Sequence, residues 1–251
     1  MLFCKKPDHA MKSDQRVALI TGAARGIGLA TARKFLAENH RVALLDIDAE
    51  TLSRAMKLMD PDQTLGLECD VAEPNQVKDS VDRLVSEYGR IDVLVNNAGI
   101  ATFSPILETS FEEWSRILAV NLNGPFICTQ ACAPVMLENG GGSIVNISSI
   151  AYHGNFGQSN YSAAKAGVAA MTVLWAKELA QHNIRVGAIA PGFTATEMVV
   201  SLREEVKTKF TESIPLRRFA ELSEISDGVL FILRNDYVTG EIIEISGGVR
   251  I

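Results

Sequence analysis

A tyrosine and a lysine, Tyr161 and Lys165, stand four residues apart in the stretch SNYSAAKAG (159–167). Four residues are about one helical turn, so both side chains would leave the same face of a helix. A free phenol has a pKa of about 10 and is a poor base at neutral pH, but a nearby ammonium group favours the phenolate. The pair is therefore a candidate general acid and base, although the pattern alone fits an ordinary helix equally well.

A glycine-rich loop, TGAARGIG (21–28), follows the apolar run VALIT and opens a helical pattern. Because glycine lacks a Cβ atom, Gly22, Gly26 and Gly28 allow a tight turn and let backbone N–H groups approach a phosphate. The helix from Ile27 would point the positive end of its dipole at the same phosphate. A strand before the loop and a helix after it predict a dinucleotide-binding loop rather than a plain turn.

The acid Asp46 ends the next apolar run, RVALLD, eighteen residues after Gly28. A carboxylate there can accept hydrogen bonds from the adenosine ribose and would repel a 2′-phosphate. This position predicts NAD (NADH) as the cofactor, with NADP less favoured. Arg25 is a competing signal, because a guanidinium near the ribose would attract a 2′-phosphate. Asp48 is expected to be a solvated acid or a helix cap.

Short apolar runs alternate with longer helical patterns along the whole chain. This alternation predicts an α/β protein with a single-domain Rossmann fold, in which helices cover both faces of a doubly wound, seven-stranded parallel sheet. The domain would span residues 15–251 after a flexible N-terminal arm at 1–14. The irregular segment 192–222 follows a strand end and is expected to be a substrate lid, or else a surface excursion. The predicted strands are 17–21, 41–46, 64–70, 92–97, 143–149, 184–191 and 241–246.

The composition is that of an ordinary globular protein. The 251 residues are 47% hydrophobic and 22% charged, and the net charge of −6 argues against a nucleic-acid partner. We expect no membrane span, because no apolar run is long enough. No signal segment is evident and cysteines are few, which favours a cytoplasmic location. Cys128 and Cys132 are expected to be small core residues, and no metal site is predicted.

Several stretches occur in the order and spacing of one known family. From about residue 15 to the C-terminus the chain resembles the short-chain dehydrogenase/reductase family, of the compact type. The resemblance implies an NAD(H)-dependent oxidoreductase that interconverts a secondary alcohol and a ketone by hydride transfer. The matching stretches are TGAARGIG (21–28), CDV (69–71), NNAG (96–99), Asn121 in AVNLNG, Ser148 in NISS, YSAAK (161–165) and PG (191–192).

The resemblance also implies roles for individual residues. Tyr161 would be the general acid/base and Lys165 would tune it and bind the nicotinamide ribose. Ser148 would orient the substrate oxygen, and it is preferred to Ser149 because it lies thirteen residues before the tyrosine. Asn121 would hold a water that relays protons. The implied cofactor contacts are Gly22, Arg25, Gly26, Ile27, Gly28, Asp46, Asp70, Val71, Asn97, Ala98, Gly99, Tyr161, Lys165, Pro191, Gly192, Thr194 and Thr196.

Two features set the chain apart from the bacterial 3-oxoacyl-acyl-carrier-protein reductases, which PGFTATEM and GNFGQSNYSAAKAG otherwise resemble. Those reductases usually prefer NADP and lack an acid at the position of Asp46. They also carry basic residues near the end of the long helix for docking an acidic carrier, where this chain reads MLENGGG (136–142). We therefore expect a free or coenzyme-A-linked small alcohol or ketone, or a polyol or sugar, rather than a carrier-bound chain.

Alternative functions remain open at this point. One is a 3-oxoacyl thioester reductase that uses NADPH, and another is a non-catalytic NAD(H)-binding regulator. The helices at 110–138 and 159–182 are expected to build a homodimer or homotetramer, by resemblance. The residues expected on the substrate side are Tyr152, His153, Asn155 and Phe156, with an apolar wall from Phe103, Phe193 and Met198. Gly187 has no explanation from the sequence.

Overall fold

The structure, a computed structural model, describes residues 15–196, 199 and 203–250. Within them seven parallel strands form one sheet in the order β3-β2-β1-β4-β5-β6-β7. The predicted doubly wound, seven-stranded parallel sheet is confirmed. The predicted arm at 1–14 and Met198 lie outside the described residues. The strands are β1 (Val17–Thr21), β2 (Arg41–Asp46), β3 (Thr64–Glu68), β4 (Val93–Asn96), β5 (Gly142–Ile147), β6 (Ile184–Pro191) and β7 (Ile242–Ile245).

The helices connect these strands and lie on both faces of the sheet. The expected long helix at 110–138 is interrupted by a π-helical turn, Ala119–Asn123. Such turns commonly mark functional positions, and this one contains Asn121. The helices are α1 (Gly26–Ala37), α2 (Ala49–Met56), α3 (Pro74–Tyr88), α4 (Phe111–Leu118), α5 (Gly124–Glu138), α6 (Ser159–Leu179), α7 (Glu204–Ser213) and α8 (Leu222–Arg234).

Each face of the sheet has its own apolar core. Along β1, Leu19 belongs to the core shared with α3, α5 and α6, whereas Ile20 belongs to the core shared with α1 and α8. This double burial explains why the strands read as uninterrupted apolar runs. Cys128 and Cys132 are fully buried in the first core, as predicted. None of the described helices is long and apolar enough to cross a lipid bilayer.

Gly187 gains an explanation from a contact between β6 and α8. A Cβ atom at this position would lie 2.9 Å from Cγ2 and 3.2 Å from Cδ1 of Ile232. Such separations are too short for carbon atoms in van der Waals contact. The glycine therefore leaves room for Ile232, which is buried in the second core.

Candidate active site

The sheet positions a large cleft at the carboxyl ends of its strands, where ligands bind in such folds. The cleft has a volume of about 1250 Å³, which exceeds the roughly 300–1,000 Å³ of a typical small-molecule site. It therefore has room for a dinucleotide and a substrate together. Every predicted cofactor residue except Gly28 lines it.

The glycine-rich loop forms a close-fitting cradle between β1 and α1. Gly22 and Gly26 have φ angles of 61° and 58°, in the left-handed region that favours glycine. Gly28 lies behind the cleft, where a Cβ atom would be 2.4 Å from the Gly22 carbonyl oxygen. The Asn97 side-chain amide donates to the Thr21 and Gly22 carbonyls, both at 2.9 Å. These contacts hold the loop in a shape that suits a pyrophosphate at the start of α1.

Asp46 lies at the edge of this cradle with its carboxylate fixed by the backbone. One oxygen accepts from the Ala24 N–H at 3.0 Å, and the other accepts from the Asp48 N–H at 3.1 Å. Asp48 caps α2 by accepting a hydrogen bond from the Thr51 N–H. This is the helix cap that the sequence offered as one of two interpretations of Asp48. Its other oxygen lies 4.0 Å from the Arg25 guanidinium. The Arg25 guanidinium, which could attract a 2′-phosphate, therefore already lies near the Asp48 carboxylate.

Lys165 is the buried charge at the centre of the cleft. Its side chain is 4% exposed, and Nζ donates a hydrogen bond to the Ile147 carbonyl at 2.7 Å. Burial lowers the pKa of Lys165 to about 8, because a low-dielectric site disfavours the ammonium form. Nζ lies 5.7 Å from the centroid of the Tyr161 ring. The predicted Tyr–Lys pair thus lies side by side on α6.

Tyr161 is partly exposed to the cleft, and its desolvation there raises the pKa of its phenol. A hydrogen bond with the Ser149 hydroxyl acts in the opposite direction. The net direction differs from the lowering that the sequence predicts for this pair, because the cost of burying a phenolate outweighs its stabilisation here.

The two neighbouring serines make different hydrogen bonds. Ser148 is 2% exposed and its hydroxyl donates to the Lys165 carbonyl at 3.0 Å. Ser149 instead accepts from the Ala151 N–H at 3.2 Å, so its own O–H proton is free to point at Tyr161 and the cleft. Both serines line the cleft, so the choice of Ser148 as the serine that contacts the substrate stays a prediction, which the bond of its hydroxyl to the Lys165 carbonyl disfavours. Counting residues could not separate the two serines, because the contact between the Ser148 hydroxyl and the Lys165 carbonyl exists only in the folded chain.

Asn121, in the π-helical turn, lies next to Gly99. Its amide donates to the Ile100 and Ile117 carbonyls at 2.8 and 3.0 Å. Among the described residues its Oδ1 atom is buried and has no hydrogen-bond partner. A Cβ atom at Gly99 would lie 2.7 Å from that oxygen and 3.7 Å from Lys165 Nζ. Gly99 therefore keeps a small space open between an acceptor and a donor.

The predicted substrate-side residues divide into two groups. Phe103, Asn155, Phe156 and Phe193 line the cleft, and so does Phe210, which the sequence reading missed. Tyr152 and His153 turn away from the cleft and contact Glu244 of β7, at 2.9 and 2.7 Å. The segment expected to be a lid contributes Phe210, but motion of that segment stays a prediction.

Comparisons with known proteins agree with this geometry. A family model described as short chain dehydrogenase matches residues 16–207. The chain is 44% identical over 246 residues to the 3-oxoacyl-[acyl-carrier-protein] reductase FabG of Thermotoga maritima, covering 96% of this chain and 100% of the relative. It is 38% identical to the reductase of that name from Staphylococcus epidermidis, covering 92% and 97%. The 3-oxoacyl-[acyl-carrier-protein] reductase of Synechocystis is also 38% identical, covering 93% and 96%. The chain therefore belongs to the short-chain dehydrogenase family of oxidoreductases.

Proposed function

We propose that this protein reduces 3-oxoacyl thioesters to 3-hydroxyacyl thioesters with NADH. The observation that carries the proposal is that Ser149, Tyr161 and Lys165 line one cleft together with the glycine cradle, with Lys165 Nζ 5.7 Å from the centroid of the Tyr161 ring. The names of the relatives support a thioester substrate. The sequence alone placed a general alcohol or ketone first. The comparisons favour its alternative, a 3-oxoacyl thioester reductase. NADPH was the expected cofactor of that alternative, and the choice of NADH is part of our proposal.

The side chains of the cleft suit reduction of a carbonyl group. When bound, the nicotinamide cofactor supplies a hydride to the carbonyl carbon. The hydroxyls of Ser149 and Tyr161 donate hydrogen bonds to the carbonyl oxygen and stabilise the negative charge that develops there. Tyr161 then transfers its proton to that oxygen, which completes the alcohol. The resulting phenolate is stabilised by the Lys165 ammonium and reprotonated from it.

Asn121 and Gly99 support a route for the replacement proton. The unpaired Oδ1 of Asn121 and the ammonium of Lys165 face the same small space. A water there would accept from Lys165 and donate to Asn121, which satisfies a buried polar atom that is otherwise costly. This arrangement supports the predicted role of Asn121 in returning a proton to Lys165.

Asp46 supports NADH over NADPH. Two backbone N–H groups fix its carboxylate at the ribose end of the cradle. A 2′-phosphate about 4 Å away would be repelled by about 4 kcal/mol at an effective dielectric of 20, and by less where solvent screens the pair. Arg25 offers limited compensation because Asp48 already faces it.

The surface near the end of α5 favours a coenzyme A thioester over a carrier-bound one. Residues 136–142 contain the exposed Glu138 and no lysine or arginine, so an acidic carrier gains no attraction there. We also infer that the protein forms a homodimer or homotetramer. Exposed apolar side chains on α5 and α6, namely Phe126, Leu137 and Leu174, support this inference.

The first experiment follows NADH oxidation with acetoacetyl-coenzyme A, simple ketones, keto sugars and oxosteroids. We expect the highest kcat/KM on the thioester, and Tyr161→Phe should lower kcat by at least about 100-fold with NADH affinity within a few-fold. A higher kcat/KM on a ketone, sugar or steroid than on the thioester would contradict the proposal and favour a general alcohol or ketone oxidoreductase. NADH binding without turnover of any substrate would indicate the non-catalytic regulator.

Paired alanine variants test the roles of the two serines. Ser149→Ala should lower kcat about 100- to 1,000-fold, because one hydrogen-bond donor to the developing oxyanion is lost. Ser148→Ala should mainly lower the free energy of unfolding, by about 1 kcal/mol, because the Lys165 carbonyl loses its partner. Steady-state kinetics and urea unfolding measure both effects. A large loss of kcat in Ser148→Ala with little change in Ser149→Ala would instead show that Ser148 contacts the substrate.

The variant Asp46→Asn tests cofactor choice, because it removes the charge at nearly constant side-chain size and keeps an acceptor oxygen for one of the two N–H groups. The ratio of kcat/KM with NADH to that with NADPH should fall at least tenfold, because the variant removes the repulsion between the carboxylate and the 2′-phosphate that remains after solvent screening. Glu68→Ala is the matched control, since Glu68 lies opposite Asp46 on β3 and is absent from the cleft lining. An unchanged ratio in Asp46→Asn would show that the acid does not face the ribose.

A further inference from the structure

Four phenylalanines occupy the substrate half of the cleft as two contacting pairs. The ring centroids of Phe103 and Phe156 lie 6.1 Å apart, and those of Phe193 and Phe210 lie 4.8 Å apart. All four line the same cleft as Tyr161. Phe103 and Phe156 are 67% and 78% exposed, which is unusual for large aromatic side chains and marks a surface that a ligand can cover.

The loops that carry the first pair are tied together. The Ser104 N–H donates to the Gly157 carbonyl at 2.7 Å. Gly157 has a φ angle of 72°, and a Cβ atom there would lie 2.7 Å from Phe103 Cζ, so the ring packs directly on the glycine backbone. The Asn155 N–H donates to the Ser162 hydroxyl at 3.1 Å, which joins the Phe156 loop to α6. The exposed rings are therefore held in place beside the catalytic helix.

The second pair is anchored on the opposite chain segment, after β6. The Phe193 carbonyl accepts from the Ala220 N–H at 2.9 Å, and its ring packs on the small core of Ile150, Ile214 and Val249. Phe210 reaches the pair from α7. The cleft lining also includes the uncharged polar side chains of Ser149, Asn155, Gln158 and Tyr161, together with the charged Arg116 and Lys165.

We propose that Phe103, Phe156, Phe193 and Phe210 form an acyl-chain wall that selects 3-oxoacyl thioesters with chains longer than acetoacetyl. This inference rests on the proposed thioester reduction. Carbon atoms beyond the 3-oxo group would cover ring surface that is otherwise exposed to water. A polyol or sugar would instead place hydroxyl groups against rings that offer no hydrogen bonds.

The test is a chain-length series of acetoacetyl-, 3-oxohexanoyl- and 3-oxooctanoyl-coenzyme A with NADH. Burying one methylene group completely raises kcat/KM about fourfold. Because the wall is partly open to water, we expect kcat/KM to rise about two- to fourfold for each methylene added to the acyl chain. Phe103→Ala and Phe156→Ala should each lose more activity on the eight-carbon substrate than on the four-carbon one, with a difference of about tenfold. Phe111→Ala is the matched control, because Phe111 is 77% exposed and is not part of the cleft lining.

The outcomes separate the two proposals. Turnover of all three thioesters with no dependence on chain length would overturn the wall and leave the reductase function intact. Turnover of none of them would overturn the proposed function and the wall with it. An equal loss of chain-length dependence in Phe111→Ala would also overturn the wall. So would a change of oligomeric mass in Phe156→Ala, because the ring would then contact a second copy.

Discussion

The ammonium group of Lys165 is buried at the carboxyl end of β5, where it donates a hydrogen bond to the Ile147 carbonyl. Its pKa is lowered from 10.5 to about 8, so the charge costs the folded state about 3 kcal/mol at neutral pH. Because the unfolded chain binds more protons between these two values, this cost is full below about pH 8 and falls as the pH rises towards 10.5. The rest of the fold must supply stability to offset it.

The surrounding elements are arranged to hold this charge beside Tyr161. The parallel strands bring the Ile147 carbonyl, Asn97 after β4 and Pro191 at the end of β6 to the carboxyl edge of the sheet. Two apolar cores hold the helices on its two faces. The π-helical turn directs Asn121 towards the space beside Lys165. Such a site has its dipoles in place before the reaction, which lowers the cost of reorganisation during proton transfer.

Features set by local geometry could be predicted from the sequence. The Tyr161–Lys165 pair depends only on helical spacing, and the glycine loop depends on its place between a strand and a helix. The choice between Ser148 and Ser149 depends on which hydroxyl bonds the Lys165 carbonyl in the folded chain, and counting residues does not reveal that contact. The Phe210 contact with Phe193 and the Gly187 contact with Ile232 join distant segments, so no spacing along the chain predicts them.

The central claim is that the charge of Lys165 makes Tyr161 a usable acid and base. The most direct test is an NMR pH titration of ¹³C-labelled tyrosine in the NAD-bound wild type and Lys165→Met proteins, with the signal assigned by Tyr161→Phe. A cation about 6 Å away typically lowers a pKa by one unit or more, so the Tyr161 pKa should be at least about one pH unit higher in Lys165→Met. Equal Tyr161 pKa values in the two folded proteins would contradict the account.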